Sequence, residues 1–100
     1  MKPPYYAVIF TSKRTEINSG YDDIALHMEQ LAKHQPGFLG VDSARSTIGI
    51  TVSYWKDLEA IKLWKQQTEH KQAQALGKLK WYSYYNVKIC KVEREYEFSV

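Results

Sequence analysis

The sequence has little of what would tie a chain together covalently or hold it in a membrane. Cys90 is its single cysteine, which excludes an internal disulfide and favours a reducing compartment. No apolar stretch approaches the ~20 residues that a membrane-spanning helix needs. The apolar run near the N-terminus is also too short for the central region of a signal peptide. We therefore expect a cytoplasmic protein without a membrane partner.

Concentrated charge and metal-binding patterns are also lacking. The 14 Lys and Arg are spread along the chain and leave a net charge of only +3, which does not suggest a nucleic-acid partner. His27 and His34 share one face of a predicted helix but lie ~10 Å apart along its axis, too far to bind one metal ion together. We predict no metal site and no cofactor, and we interpret both histidines as surface residues.

Aromatic residues are what the sequence does have, at 14% of its 100 residues. This length is that of one domain with one core, here residues 1–100. Aromatic rings provide flat apolar surfaces that suit pockets and interfaces. Cys90 falls in a predicted strand, where we expect a small apolar filler.

The first half of the chain predicts a strand, a helix and a hairpin. Tyr5–Phe10 is an unbroken apolar run, which indicates a strand covered on both faces. Ser19 is the expected cap of a helix whose apolar face recurs every three or four residues until Gln35-Pro36-Gly37 ends it. Strict alternation then predicts a hairpin, with one strand beginning at Leu39 and the other running through Ile48, Ile50, Val52 and Tyr54.

The second half predicts another helix and a long strand. Asp57 can cap the helix, and its broad apolar face includes Trp64. Alternatively, Thr68 caps a second helical piece, which leaves a bend at Gln66-Gln67. In the final segment, 81–98, the apolar positions change from odd to even numbers. Either a bulge or a strand that continues against another chain would explain this change.

The order β-α-β-β-α-β is that of an α+β, ferredoxin-like fold, in which both helices cover one face of a four-stranded antiparallel sheet. The second face would then be open to water. Because Tyr5–Phe10 is apolar on both faces, we expect a second copy of the chain to cover it. The predicted partner is thus a homodimer mate.

Three segments of the chain are distinctive: PGFLGVDSAR at 36–45, ITVSYWKDLEAIKLW at 50–64 with Glu69-His70 after it, and WYSYYNVKICKVEREY at 81–96. Together they resemble the antibiotic biosynthesis monooxygenase domain family. The resemblance implies a dimeric α+β barrel. It is greatest to small uncharacterised bacterial members, in a family that includes cofactor-independent oxygenases and haem-degrading proteins.

Trp64 and His70 are the catalytic candidates that the resemblance implies. In the oxygenases an Asn, a Trp and a Tyr line the pocket from the second helix, and their positions are held here by Ala60, Trp64 and His70. The haem-degrading proteins have an iron-binding His ten residues after the Trp, where this chain has Gln74. Neither set is matched in full.

Each candidate also has a structural interpretation. Trp64 could fill the core, and His70 would face water on one straight helix but could turn inward if the helix breaks at Gln66-Gln67. Weaker candidates for substrate-binding walls or for the dimer interface are Phe10, Tyr54 and Trp55. The aromatic cluster Trp81, Tyr82, Tyr84 and Tyr85 is expected at the junction of two chains.

The function that we predict is monooxygenation of a small phenol or quinol in an apolar pocket, without a cofactor. An ionised phenol is electron-rich enough to react with oxygen directly, so the protein would need to remove a proton, hold the anion and exclude water. His70 would accept the proton as a neutral base and Trp64 would position the ring. The alternatives are a non-enzymatic dimer that binds a small molecule, and a haem-binding or haem-degrading protein.

Overall fold

The computed structural model describes residues 1–67 and 80–100, and its elements follow the predicted order. They are β1 (Tyr5–Arg14), α1 (Tyr21–Lys33), β2 (Phe38–Arg45), β3 (Gly49–Trp55), α2 (Leu58–Lys65) and β4 (Tyr82–Val92). The four strands form one antiparallel sheet in the order β2-β3-β1-β4. This arrangement confirms the α+β, ferredoxin-like prediction. His70, Thr68 and Gln74 lie outside the described residues.

The pairing register divides the sheet into two faces. Tyr6 of β1 lies opposite Trp55 of β3, and residues paired in this way point to the same side. Trp55 packs with Ala60 and Ile61 of α2, so the even-numbered residues of β1 form the helix-facing surface. The odd-numbered residues of β1, beginning with Tyr5, form what we call the opposite face.

Helix α1 begins one residue later than a Ser19 cap requires. Gly20 is the N-cap, in a left-handed conformation with φ of 79°, and no side chain caps the helix. The predicted capping role of Ser19 is therefore wrong. The Ser19 backbone has a different partner, because its carbonyl accepts a hydrogen bond from the indole Nε1 of Trp81 at 3.0 Å. This bond ties the start of α1 to the segment before β4.

Helix α2 begins at the predicted cap. The Asp57 carboxylate accepts a hydrogen bond from the backbone N–H of Ala60 at 2.8 Å, which confirms the prediction. The helix ends at Lys65, with Gln66 as its C-cap. Its end coincides with the Gln66-Gln67 break that the sequence allowed.

Strand β4 pairs with β1 without interruption from Tyr84 to Val92, and the single register shift lies between Lys13 and Arg14. The bulge considered for the change of apolar positions is therefore wrong. From Tyr84 onward, strand β4 is instead regular, with its odd-numbered apolar residues on the helix-facing surface and its even-numbered ones on the opposite face. Cys90 is exposed on the opposite face of this single chain, so its role as a small apolar filler stays a prediction.

The opposite face is only partly covered. Tyr5 and Ala7 are buried at its centre, and the Tyr5 hydroxyl donates a hydrogen bond to Glu95 at 3.0 Å. Ile50 and Tyr84 remain 45% and 50% exposed on this face. Within the described part of the chain, no helix is long and apolar enough to cross a membrane.

Candidate functional site

The helix-facing surface has an apolar end, which we call the tryptophan end: Trp55, Trp64, Phe38, Ala60 and Ile61. Trp55 is fully buried, and its ring stacks on Trp64 with centroids 6.0 Å apart and 26° between the planes. Phe38 meets Trp55 edge-on at 5.4 Å. The Trp55 indole N–H is satisfied by Ser53, whose hydroxyl accepts it at 2.9 Å. The buried indole N–H of Trp55 therefore has a partner, as a stable core requires.

Trp64 lies at the border of this core. The spacing of three residues from Ile61 places both side chains on one side of α2. Ile61 is buried, whereas Trp64 is half-buried and packs against the core from outside. Trp64 therefore contributes to packing at the border of the core.

The other end of the same surface, which we call the tyrosine end, comprises Phe10, Ser12, Arg45, Tyr82 and Tyr85. Phe10 stacks on Tyr85 at 5.5 Å and meets Tyr82 edge-on at 5.4 Å. Arg45 of β2 reaches across β3 and donates a hydrogen bond to the hydroxyl of Ser12, which is fully buried in β1. Aromatic rings and a cation thus share this end of the surface.

Tyr82 is held in its neutral form. Burial is the main cause that raises its pKa above the ordinary value, and its interaction with the Tyr21 hydroxyl raises it further. The positive charges of Arg45 and Arg14 act in the opposite direction without reversing the shift. The Tyr82 hydroxyl consequently remains protonated at neutral pH.

The structure brings some of the sequence candidates together and separates others. Phe10 and Trp55 both lie on the helix-facing surface, at its two ends. Tyr54 points to the opposite face, where its hydroxyl donates a hydrogen bond to Asp42 at 2.9 Å and its ring meets that of Tyr5 at 5.9 Å. This hydrogen bond is the main cause that raises the pKa of Tyr54. His70 lies outside the described residues.

Sequence reasoning missed Ser12 and Arg45 as members of a common site. They are 33 residues apart, and only the strand register brings them together. The expected place of the aromatic cluster at 81–85 in a junction between chains stays a prediction. Within one chain, Trp81 packs edge-on against Tyr21 at 5.6 Å, and Tyr82 and Tyr85 pack on Phe10. A hydrophobicity pattern identifies such residues as apolar but does not identify their partners.

Two open surface depressions border this framework. One, of about 310 Å³, is lined by Tyr82, Ser83, Tyr84 and Tyr85. The other, of about 200 Å³, lies where β2 begins beside α2, and it includes Gly37 and Ala60. The second also borders the charged residues Lys56, Asp57 and Glu59, but both depressions are open to solvent and enclose no volume. Among residues 1–67 and 80–100, no three His, Cys, Asp or Glu side chains are grouped as metal ligands, and His27 and His34 are exposed, as expected of surface residues.

The fold and this surface define a ferredoxin-like α+β domain whose helix-facing side is lined by aromatic residues. The chain belongs to the antibiotic biosynthesis monooxygenase family, whose model matches residues 7–76. It is 48% identical over 100 residues to the uncharacterised protein YqjZ of Bacillus subtilis, an alignment that covers 98% of this chain and 88% of YqjZ.

Solved structures of low sequence identity share the fold. SnoaB of Streptomyces nogalater, a cofactor-independent oxygenase, superposes with a TM-score of 0.77 at 10% identity, covering 93% of this chain and 97% of SnoaB. Protein PA3566 of Pseudomonas aeruginosa superposes with a TM-score of 0.73 at 14% identity, covering 96% of this chain and 99% of PA3566. At these identities the likeness concerns the fold alone.

Proposed function

We propose that the protein is a cofactor-independent monooxygenase that acts on a small phenol or quinol between the sheet and the helices. The observation that carries this proposal is the stacking of the half-buried Trp64 on the buried Trp55, with ring centroids 6.0 Å apart. A flat substrate ring could pack beside such a pair while the rigid neighbour holds Trp64 in place. Membership of the monooxygenase family supports the same chemistry.

In the proposed reaction the substrate supplies the electrons. Removal of its phenolic proton by His70 leaves an electron-rich ring, one carbon of which forms a bond to oxygen. The resulting hydroperoxide loses water as its O–O bond breaks, so one atom of O₂ becomes a quinone oxygen and the other leaves as water with two substrate hydrogens. Trp64 positions the ring, the buried Trp55 supports Trp64 from below, and the apolar surroundings exclude water.

The proposal includes a homodimer and a cytoplasmic location. Ile50 and Tyr84, about half exposed on the opposite face, provide apolar area that a second copy could cover, and Tyr54 would lie in that interface. Light scattering should then give twice the 11.7 kDa mass of one chain. A stable monomer would contradict this part. The exposed thiol of Cys90 suits a reducing compartment.

The test is oxygen uptake with a panel of quinols and polyphenols, with no added metal, flavin or haem. His70→Ala should lower kcat/KM by about 100-fold or more, the usual scale for loss of a general base. His27→Ala is the matched control, because His27 is exposed on α1 and should leave the rate unchanged. Trp64→Phe should change KM or the product distribution more than stability.

Three outcomes would count against this function. Saturable binding of a quinol without oxygen uptake would favour a non-enzymatic binding protein. A stoichiometric haem complex that is lost in His70→Ala would favour a haem protein. Turnover that is equal in the wild type and His70→Ala would remove His70 from the mechanism.

A further inference from the structure

Arg45 is held in an unusual position for a side chain at the end of a strand. It extends from β2 across β3 to β1, and its guanidinium lies over Gly49, the residue paired with Arg45 in the sheet. A Cβ atom at position 49 would collide with the guanidinium. The Arg45 guanidinium therefore occupies the volume that a side chain at position 49 would need.

Only part of the hydrogen-bonding capacity of Arg45 is used. A guanidinium has five N–H donors, and the described structure gives Arg45 one acceptor, the Ser12 hydroxyl. The ion pairs among the described residues join Met1 to Glu95 and Lys33 to Glu29, so no described carboxylate neutralises Arg45. It keeps a fixed positive charge with donors available.

Arg14 of the same chain has several hydrogen-bond acceptors, in contrast to Arg45. It donates hydrogen bonds to the carbonyls of Trp81 and Ile17 at 3.2 Å and to Asn18 Oδ1 at 2.9 Å. Its guanidinium also lies 3.3 Å from the centre of the Tyr21 ring. Arg14 is thus used to join the end of β1 to the start of α1. Arg45 makes no comparable set of contacts.

The surroundings of Arg45 are suited to an aromatic ligand. Ser12 lies two residues after Phe10 on β1, so both side chains point to the helix-facing surface. Phe10 in turn packs on Tyr82 and Tyr85. Arg45 also acts electrostatically on Tyr82. An exposed cation next to aromatic faces can bind a molecule that has both a ring and an acidic group.

We propose that Arg45, positioned by Ser12 and by the absence of a side chain at Gly49, binds the carboxylate of an aromatic ligand whose ring packs at the tyrosine end. The inference goes beyond the proposed function, because the tyrosine end lies at the other end of the helix-facing surface from Trp64 and is a separate binding site for an aromatic acid. Arg45 selects the acid there and takes no part in the proton removal proposed for His70.

The test compares two probes that differ in charge, 1-naphthol and 1-naphthoate, by calorimetric titration at neutral pH. The wild type should bind naphthoate more tightly. Arg45→Met should weaken naphthoate binding by roughly 10- to 100-fold, the scale of a charged hydrogen bond, and should leave naphthol binding unchanged. Arg94→Met removes one positive charge from an exposed part of the chain and should affect neither probe.

Gly49→Ala provides a second variant that keeps the net charge. Its Cβ must displace the guanidinium, so it should also weaken the binding of naphthoate more than that of naphthol. Gly40→Ala is its control, because a Cβ there would meet the Tyr54 ring at an ordinary 3.8 Å. Circular dichroism would verify that all four variants are folded.

The outcomes separate this inference from the proposed function. Equal binding of both probes by the wild type, or equal weakening of both in Arg45→Met, would overturn the carboxylate site and leave the oxygenase proposal standing. Naphthoate binding that depends on Arg45, without oxygen uptake from any quinol, would support the carboxylate site and contradict the oxygenase. Binding of neither probe would overturn the carboxylate site.

Discussion

The tryptophan end and the tyrosine end lie on the same surface of the same sheet, but they differ in what holds them together. At the tryptophan end, Trp55 is fully buried and one polar contact, with Ser53, satisfies its indole. At the tyrosine end, rings with hydroxyl groups surround a hydrogen bond between Arg45 and the buried Ser12. The first end is closed by α2, and the second has exposed charge.

This difference separates stability from recognition. Burial of large apolar rings stabilises the fold but distinguishes poorly between ligands of similar shape. A partly satisfied cation contributes less to packing and more to the choice of ligand, since it favours a complementary charge. Substitutions of the buried residues at the tryptophan end should therefore affect folding first, and substitutions at the tyrosine end should affect binding and pH dependence first.

The largest stability effect is expected for Trp55→Ala. Loss of a fully buried Trp leaves a cavity and should lower the free energy of unfolding by about 3–5 kcal/mol. Phe10→Ala, at the half-buried Phe10 of the tyrosine end, should cost less. Urea unfolding monitored by circular dichroism measures both. Equal losses would contradict the distinction between a closed and an open end.

Gly37→Ala should have the next largest effect, because Gly37, the residue before β2, lies against Ala60 of α2 at the tryptophan end. Its φ is 83°, and a Cβ there would lie 2.7 Å from the Cβ of Ala60, so strain and a collision act together. We expect a loss of about 2 kcal/mol or more in the free energy of unfolding. Gly40→Ala is the matched control and should change it by less than ~1 kcal/mol. A similar value for both variants would argue against close contact between β2 and α2.

The order of the elements could be predicted from the sequence because each carries its own local signal. Tyr5–Phe10 is apolar and β-branched, Asp57 stands one residue before the second helix, and the hairpin alternates strictly. The failed cap at Ser19 shows the limit of such signals. Ser and Gly are both acceptable N-cap residues, and the helix begins with Gly20 as its N-cap. The Ser19 carbonyl is at the same time hydrogen-bonded to Trp81, a tertiary contact that no local pattern describes.

The candidate site was harder to predict because it depends on register. Trp55 and Tyr54 are neighbours in sequence, yet alternation along β3 sends their side chains to opposite faces. Ser12 and Arg45 have no sequence signal in common, and they meet only because β1, β3 and β2 align them around Gly49. Pairwise contacts between distant residues follow from the assembled sheet, which a local pattern does not describe.

The smallest effect that we predict concerns stability in alkali and depends on Tyr82. Its pKa in the folded chain is raised above the value of about 10 expected for an unfolded tyrosine, chiefly by burial. The folded state therefore holds this proton more tightly than the unfolded state. The corresponding stability is fully present below about pH 10 and is lost as the pH rises towards the folded pKa.

Tyr82→Phe should consequently reduce the fall in unfolding free energy above about pH 10, as measured by urea unfolding over a pH series. Tyr96→Phe, at a ring that is 87% exposed, should leave that fall unchanged. The same alkaline fall in wild type and Tyr82→Phe would show that burial at the tyrosine end does not hold the Tyr82 proton.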